Sequence, residues 1–137
     1  MLTWDGVRVA ITNWFTTGWG DHLPYFIEGQ GEPDMTSQND PFVMLAINPT
    51  GASQSAMLGG TPPIRSFGMV EVSVFVPMRL GAKVRMDAID QLINLFTATD
   101  VGGIVFQNSA ILSVVDGKDW RSQTLLANFY FEYKKEY

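Results

Sequence analysis

The first place to look for chemistry is the single histidine, His22, which follows Asp21 in the segment GWGDHLP. An imidazole next to a carboxylate can act as a general base, because its pKa lies close to neutral pH. No nucleophile motif accompanies this pair. The residues therefore favour a surface histidine in a connecting loop. A small enzyme or ligand-binding domain that uses Asp21 and His22 remains an alternative.

The other candidates for catalysis or metal binding are weaker. Asp87 and Asp90 lie three residues apart on a predicted helix, and two carboxylates without a third ligand are typical of a solvated helix face. Ser53 and Ser55 lie in no GxSxG motif. The stretches GGTPP and VGG lack the lysine and the following helix of a phosphate-binding loop. We therefore expect no catalytic residue, no metal site, no cofactor and no enzymatic activity.

The composition narrows the possible partners. The 137 residues include no cysteine, which excludes disulfides and thiolate metal ligands. Nine Lys and Arg stand against fourteen Asp and Glu, for a net charge of −5, and no basic cluster offers a footprint for DNA phosphates. No uninterrupted apolar run reaches membrane-spanning length, so we expect no membrane partner. A hydrophobic content of 46% is typical of a globular chain, and we expect one domain over residues 1–137.

Two helices are predicted from apolar residues at helical spacing. The first begins at the N-cap Thr3, carries Asp5 in its first turn and ends at Gly18 and Gly20. The second is predicted over residues 79–100. The apolar faces are Val7, Ala10, Ile11, Trp14 and Phe15 in the first helix, and Val84, Ala88, Ile89, Leu92, Leu95 and Phe96 in the second.

The strands follow from alternation and from flanking turn residues. Strands are predicted at residues 25–28, 41–49, 64–77, 102–106, 110–120 and 124–133. Residues 50–63 form a loop with high glycine content and no charge before Pro63, and Asp116 with Gly117 indicates a hairpin turn. The order of helix, strands, helix and strands predicts an α+β fold, with a mostly antiparallel β-sheet and two main α-helices packed on one face.

Several segments, in this order, resemble the tail terminator family of long-tailed bacteriophages. They are the N-terminal helix, LPYFIEGQGEPD leading to PFVMLAINP, SAMLGG before IRSFGMVEVSVFVP, GGIVFQNS and DGKDWRSQTLLANFYFEY. The likeness covers nearly the whole chain. It rests on order and spacing, because each segment alone is ordinary strand sequence.

This resemblance implies a structural virion protein that assembles in the host cytoplasm as a homohexameric ring. Such a ring caps the head-proximal end of the tail tube, ends tube polymerisation and provides the surface for head joining. Its partners would be other copies of the chain, the tail tube protein and a neck or head-completion protein. DNA would pass through without specific binding, because an acidic lumen repels phosphates. A neck, head–tail connector or minor tail protein of the same fold is the alternative.

A ring subunit needs contact residues, and the uncharged loop is the first candidate. Small residues would let it adapt, and Met57 and Leu58 would anchor it on a neighbour or on the tube. An ordinary flexible hairpin loop is the other interpretation. Trp4 and Trp14 are expected in packing between helix and sheet, and Trp19 and Trp120 lie at segment ends, where partner contact is expected. The candidate interface residues are Ser53, Gln54, Met57, Leu58, Trp19 and Trp120.

Overall fold

A computed structural model describes residues 2–20, 22–30, 40–54 and 64–133. These residues form two helices and seven strands. In chain order the elements are α1 (Trp4–Trp19), β1 (Tyr25–Ile27), β2 (Phe42–Gln54), β3 (Ile64–Pro77), α2 (Ala82–Phe96), β4 (Asp100–Val101), β5 (Ile104–Ile111), β6 (Val115–Asp116) and β7 (Trp120–Tyr133).

The described strands form one sheet in the order β1-β2-β3-β7-β5-β4, and β6 pairs with the beginning of β7. Among the named strands only β1 and β2 pair in parallel, and the other strand pairs are antiparallel. Leu2 adds one parallel bridge, to Tyr133. The long strands β3 and β7 pair along their whole lengths, from Ile64 opposite Tyr133 to Pro77 opposite Trp120. The predicted α+β fold with a mostly antiparallel sheet is confirmed.

Helix α1 begins after the predicted N-cap Thr3 and ends at Gly20, the second of the two glycines predicted to end it. The Thr3 side-chain oxygen accepts a hydrogen bond from the Gly6 backbone N–H at 3.1 Å, which satisfies one free donor of the first turn. The helix passes through Gly18 and stops at Gly20, whose φ of +61° suits a residue without a side chain. At Gly18 a Cβ atom would overlap the Leu95 side chain, so this glycine allows close approach of α1 and α2.

Both helices cover the same face of the sheet, and the core lies between them and that face. Alternate residues of β3 and β7 point into this core, as the period of two predicts. Its fully buried aromatic side chains include Phe15, Phe96, Phe106, Phe129 and Phe131. Trp4 contacts the rings of Phe129 and Phe131, with centroids 5.9 and 4.9 Å apart, which confirms its predicted packing role.

The opposite face of the sheet has no helix in the described part of the chain, yet it carries its own aromatic cluster. Phe42 is fully buried there, stacked on Phe75 and in edge contact with Phe26 and Trp120. Further along this face, the hydroxyls of Ser73 and Thr124 share a hydrogen bond of 2.8 Å across β3 and β7.

Several element boundaries differ from the sequence prediction. Helix α2 is shorter than the predicted 79–100 and spans Ala82–Phe96. β2 does not stop at Pro49 but continues to Gln54, because pairing with β3 resumes after an irregularity between Pro49 and Gly51. Residues 50–54 of the predicted loop are therefore strand, and residues 55–63 lie outside the described residues.

The predicted strands 102–106 and 110–120 are wrong in their bounds. Gly102 and Gly103 form a turn before β5, which runs from Ile104 to Ile111 with a register shift between Phe106 and Ser109. The predicted strand 110–120 is divided among the end of β5, β6 and the start of β7, so β7 begins at Trp120 and not at residue 124. The short strand β4 was not predicted.

Candidate assembly edges

The outer side of β5 is only partly covered. β4 pairs with its first two residues, Ile104 and Val105, and backbone bonds from residues 98 and 99 extend this cover to Gln107. Beyond Gln107 no described strand lies on the outer side. The Leu112 N–H donates inward, to the Thr124 carbonyl of β7. Backbone groups alternate in direction along a strand, so those of Ser109 and Ile111 point outward. We call residues 107–115 the β5 edge.

The β5 edge exposes apolar side chains. Ile111, Leu112, Val114 and Val115 have 45, 47, 37 and 64% of their surfaces in solvent. These four make up half of the eight large hydrophobic residues recorded as exposed among the described residues. The sequence of the edge, QNSAILSVV, contains no charged residue and no proline. Natural sheets usually protect open edges with such residues, so an apolar edge without them is typical of a contact surface.

A buried arginine fixes the β5 edge to helix α2. Arg85 is 7% exposed, and its Nη1 donates to Gln123 Oε1 at 2.7 Å. The Gln123 amide in turn donates through Nε2 to the Leu112 carbonyl at 3.0 Å. The edge backbone is thus held in place at the point where regular pairing with β7 ends. Arg85 was missed as a buried residue, although its spacing from Ala88 and Leu92 places it on the apolar side of α2.

The hairpin after the β5 edge confirms the turn predicted at Asp116 and Gly117. The Gly117 N–H donates to the Trp120 carbonyl at 2.7 Å, and Arg121 Nε donates to Asp116 Oδ1 at 2.6 Å. The hydrogen bond from Arg121 lowers the pKa of Asp116, and the same bond raises the pKa of Arg121. Both side chains are solvated, so this pair closes the turn without contributing much to stability.

The other long outer strand, β2, is also half covered. β1 pairs only with Val43, Met44 and Leu45. The Val43 N–H donates to the Pro24 carbonyl, and the Leu45 carbonyl accepts from the Glu28 N–H. By alternation, Ile47 and Pro49 also direct their backbone groups outward, where no described strand pairs with them. We call residues 46–54 the β2 edge. It too has no charged residue, but Pro49 and the adjacent bulge interrupt it.

The predicted interface residues fall into three groups. Ser53 and Gln54 lie at the end of β2, on the β2 edge, and Ser53 is exposed. Met57 and Leu58 lie outside the described residues. Trp19 corrects the prediction of partner contact: it is 2% exposed, stacks on Phe15 and donates through Nε1 to the Leu23 carbonyl at 2.9 Å. A residue at a helix end is often exposed, but the chain after α1 folds back over the Trp19 side chain and buries it.

Trp120, the last predicted interface residue, is partly exposed beside the hairpin turn. Its ring contacts Phe42 edge to face, with centroids 5.5 Å apart. It therefore closes one end of the aromatic cluster on the sheet face that lacks helices. Partner contact through its exposed part stays a prediction.

The residues considered for catalysis do not gather into a site within the described parts of the chain. His22 is exposed, with its ring against Trp19 at 5.0 Å, and Asp21 lies outside the described residues. Asp87 is bound by the Lys83 ammonium at 2.7 Å, on the exposed side of α2. Among the residues described, no group of three His, Cys, Asp or Glu could hold a metal ion.

A depression of about 410 Å³ lies between α1 and the β1–β2 pair. Its lining includes Arg8, Glu28, Gln30 and Ile47. Arg8 is already paired with Asp5 at 2.9 Å, and His22 does not line the depression. The geometry therefore does not join this depression to the residues considered for catalysis. Within the described ranges, neither helix is long and apolar enough to span a bilayer.

Comparison with known proteins supports a statement about the fold but none about the function. No family model matches the chain, and no curated protein matches its sequence. Twenty-nine chains of solved structures match by fold. One of them, whose name is a bare identifier and describes no function, aligns with a TM-score of 0.62 over 94% of this chain and 98% of its own, at 15% identity. At this identity the likeness shows the fold alone: this α+β arrangement is one that other solved proteins share.

Proposed function

We propose that the chain is a structural virion protein that forms a ring at the head-proximal end of a phage tail tube. The observation that carries an assembly role is the uncharged β5 edge, with four exposed apolar side chains in five residues. Full burial of such a side chain is worth roughly 1.5–3 kcal/mol, and because each of these four is about half exposed, about half of that value would be gained on association. The assignment to the tail terminator comes from the resemblance in the order of segments.

The ring would end tube growth by covering the surface on which the next tube subunits would add. Its other face would receive the neck or head-completion protein. The sheet face without helices is available for such contacts, since it carries half-buried aromatic side chains such as Phe75 and Tyr130. The net charge of −5 is compatible with a channel through which DNA passes without binding.

Deletion of the gene from the phage that encodes the chain tests this function. We expect tails of irregular and excessive length, measured by electron microscopy, and restoration of uniform length by the unaltered chain supplied in trans. Tails of normal, uniform length without the protein would exclude a terminator. Uniform tails that fail to join heads would instead indicate the neck-protein alternative.

A substitution at the histidine separates this function from an enzymatic one. His22→Ala should leave ring formation and tail length unchanged, because the described residues around it contain no catalytic partner. Val9→Ala, a change at another exposed residue, is the matched control. Loss of function in His22→Ala with folding and assembly intact would support the small-enzyme alternative.

A further inference from the structure

The open parts of the two sheet edges lie at opposite ends of the strands. Cross-strand register places Leu45, which β1 covers, level with Ile111, which is open. The same register places Pro49, which is open, level with Phe106, whose N–H is already bonded to the Thr99 carbonyl. In the described part of the chain, each outer strand is thus covered over one half, and the open half of one lies level with the covered half of the other.

Strand directions make these two edges compatible with each other. β2 and β7 run one way, and β3 and β5 run the other. If a second copy lies beside the first with its helices on the same face, its β2 runs antiparallel to β5. If the second copy is also shifted along the strand direction, the open half of its β2 lies beside the open half of β5. In this arrangement β1 and β4 do not overlap the contact between the copies.

We propose that the β5 edge of one copy pairs with the β2 edge of the next, so that the sheet continues from subunit to subunit around the ring. This inference rests on the proposed function and names the contact that builds the ring. A head-to-tail contact between two different surfaces of one chain is the kind that closes rings. The required shift between neighbours is the stagger that tilted strands need to close on themselves.

The backbone and side chains of both edges fit this pairing. Ser109 and Ile111 direct their backbone groups outward from β5, and Ile47 and Ala52 do so from β2, since alternation restarts after the bulge. Pro49 between them contributes only a carbonyl. Ile111 is level with Leu125, and Ala52 with Ser66, so both side chains lie on the helix-covered face. Neither edge would bring a charge into the joint.

The second copy is the favoured occupant because both halves of the joint are present on one chain. Both edges are uncharged and are open over a similar length. Their strand directions and their positions along the sheet allow the two open halves to pair. A strand from a different protein would use only one edge and would leave the second exposed. A two-fold pairing of the β5 edge with itself is the competing arrangement, and the experiment below distinguishes the two.

Engineered cysteines test the joint, because the natural chain contains none. Ala52→Cys is combined with Ser109→Cys or with Ile111→Cys, and the assembled protein is oxidised and separated on non-reducing gels. We expect a ladder of dimers, trimers and higher covalent species for at least one combination. Each single variant should stay monomeric on the gel. Ala52→Cys with Val9→Cys, which places the second thiol on α1, is the matched control and should give no ladder.

Two outcomes would overturn the joint. Dimers from Ile111→Cys alone would show the two-fold pairing, and absence of cross-linking in both combinations would exclude pairing of these edges. Native mass spectrometry of the unaltered chain separates this failure from failure of the proposed function. A ring without cross-links would leave the proposed function standing with a different contact, whereas tails of uniform length in the deletion phage would exclude the function itself.

Discussion

The helix-covered face of the sheet and the β5 edge contain the same kinds of side chain in opposite surroundings. Leu125 on the covered face is 0% exposed, and Leu112 on the edge is 47% exposed. The covered face is closed by two helices and by paired strands on both sides. Among the described residues, the edge has a partner strand on one side only. Burial of apolar side chains therefore stabilises the fold in the first region. In the second region the apolar side chains are still partly exposed, and their burial could stabilise an assembly.

The matched pair Leu125→Ala and Leu112→Ala gives the largest expected difference between the regions. Removing the buried leucine side chain should lower the free energy of unfolding by about 2–5 kcal/mol, since it loses buried contacts and leaves a cavity. The half-exposed leucine should change it by about 1 kcal/mol or less. Chemical denaturation of the monomeric chain measures both. Equal losses would mean that the edge belongs to the folding core.

Two glycines that face different surroundings sharpen the same comparison. A Cβ atom at Gly68, on the covered face, would overlap Phe129 and lie 2.7 Å from Trp4 Cη2. Gly68→Ala should therefore cost about 1–3 kcal/mol of unfolding free energy. Gly51, on the β2 edge, has no atom within 4 Å of such a Cβ. Gly51→Ala should be neutral or slightly stabilising by thermal denaturation, and a loss as large as that of Gly68→Ala would contradict an open edge.

A charge on the β5 edge should separate stability from association. Ile111→Lys should change the unfolding free energy by no more than about 0.5 kcal/mol, because its side chain is already half in solvent. It should nevertheless weaken ring formation, since a lysine on an open edge opposes strand pairing. Val9→Lys, at an apolar residue of similar exposure on α1, is the control. Native mass spectrometry at equal concentrations measures both, and equal ring formation would argue against contact at this edge.

The smallest expected effect concerns the hairpin that follows the edge. Because the Arg121 hydrogen bond lowers the pKa of Asp116, this pair contributes stability above the ordinary carboxyl pKa and loses it as the pH falls through the lowered value. In Arg121→Gln the pKa of Asp116 should rise toward its ordinary value in an NMR titration. Lys118→Gln removes a cation from the same turn and serves as the control. An unchanged pKa in Arg121→Gln would contradict the pairing.

Much of the fold followed from local pattern. The alternation of β3, the capped start of α1 and the apolar face of α2 were predicted, because each depends on residues close together in the chain. The hairpin at Gly117 was predicted for the same reason. These features share a physical basis: hydrogen bonding and side-chain direction repeat with a short period, so a few neighbouring residues specify them.

The candidate interface was predicted only in part. Ser53 and Gln54 do lie on an open edge, but Trp19 is core, and the sequence predicts an ordinary strand over the apolar stretch at residues 111–115. Nothing local distinguishes ILSVV on an edge from the same residues inside a sheet. The difference depends on how far β4 reaches along β5, and β4 itself was not predicted.

The sequence by itself determined the classes of element, the capping of α1, the period of the long strands and the absence of cysteine chemistry. Only the tertiary structure decided which apolar residues are covered. It buried Trp19 and Arg85 and continued β5 across its register shift. Among the described residues, it left two half-strands open at opposite ends of one sheet. The physical reason is that burial and edge exposure depend on partners distant in the chain, and short-range periodicity carries no information about which strand lies beside which.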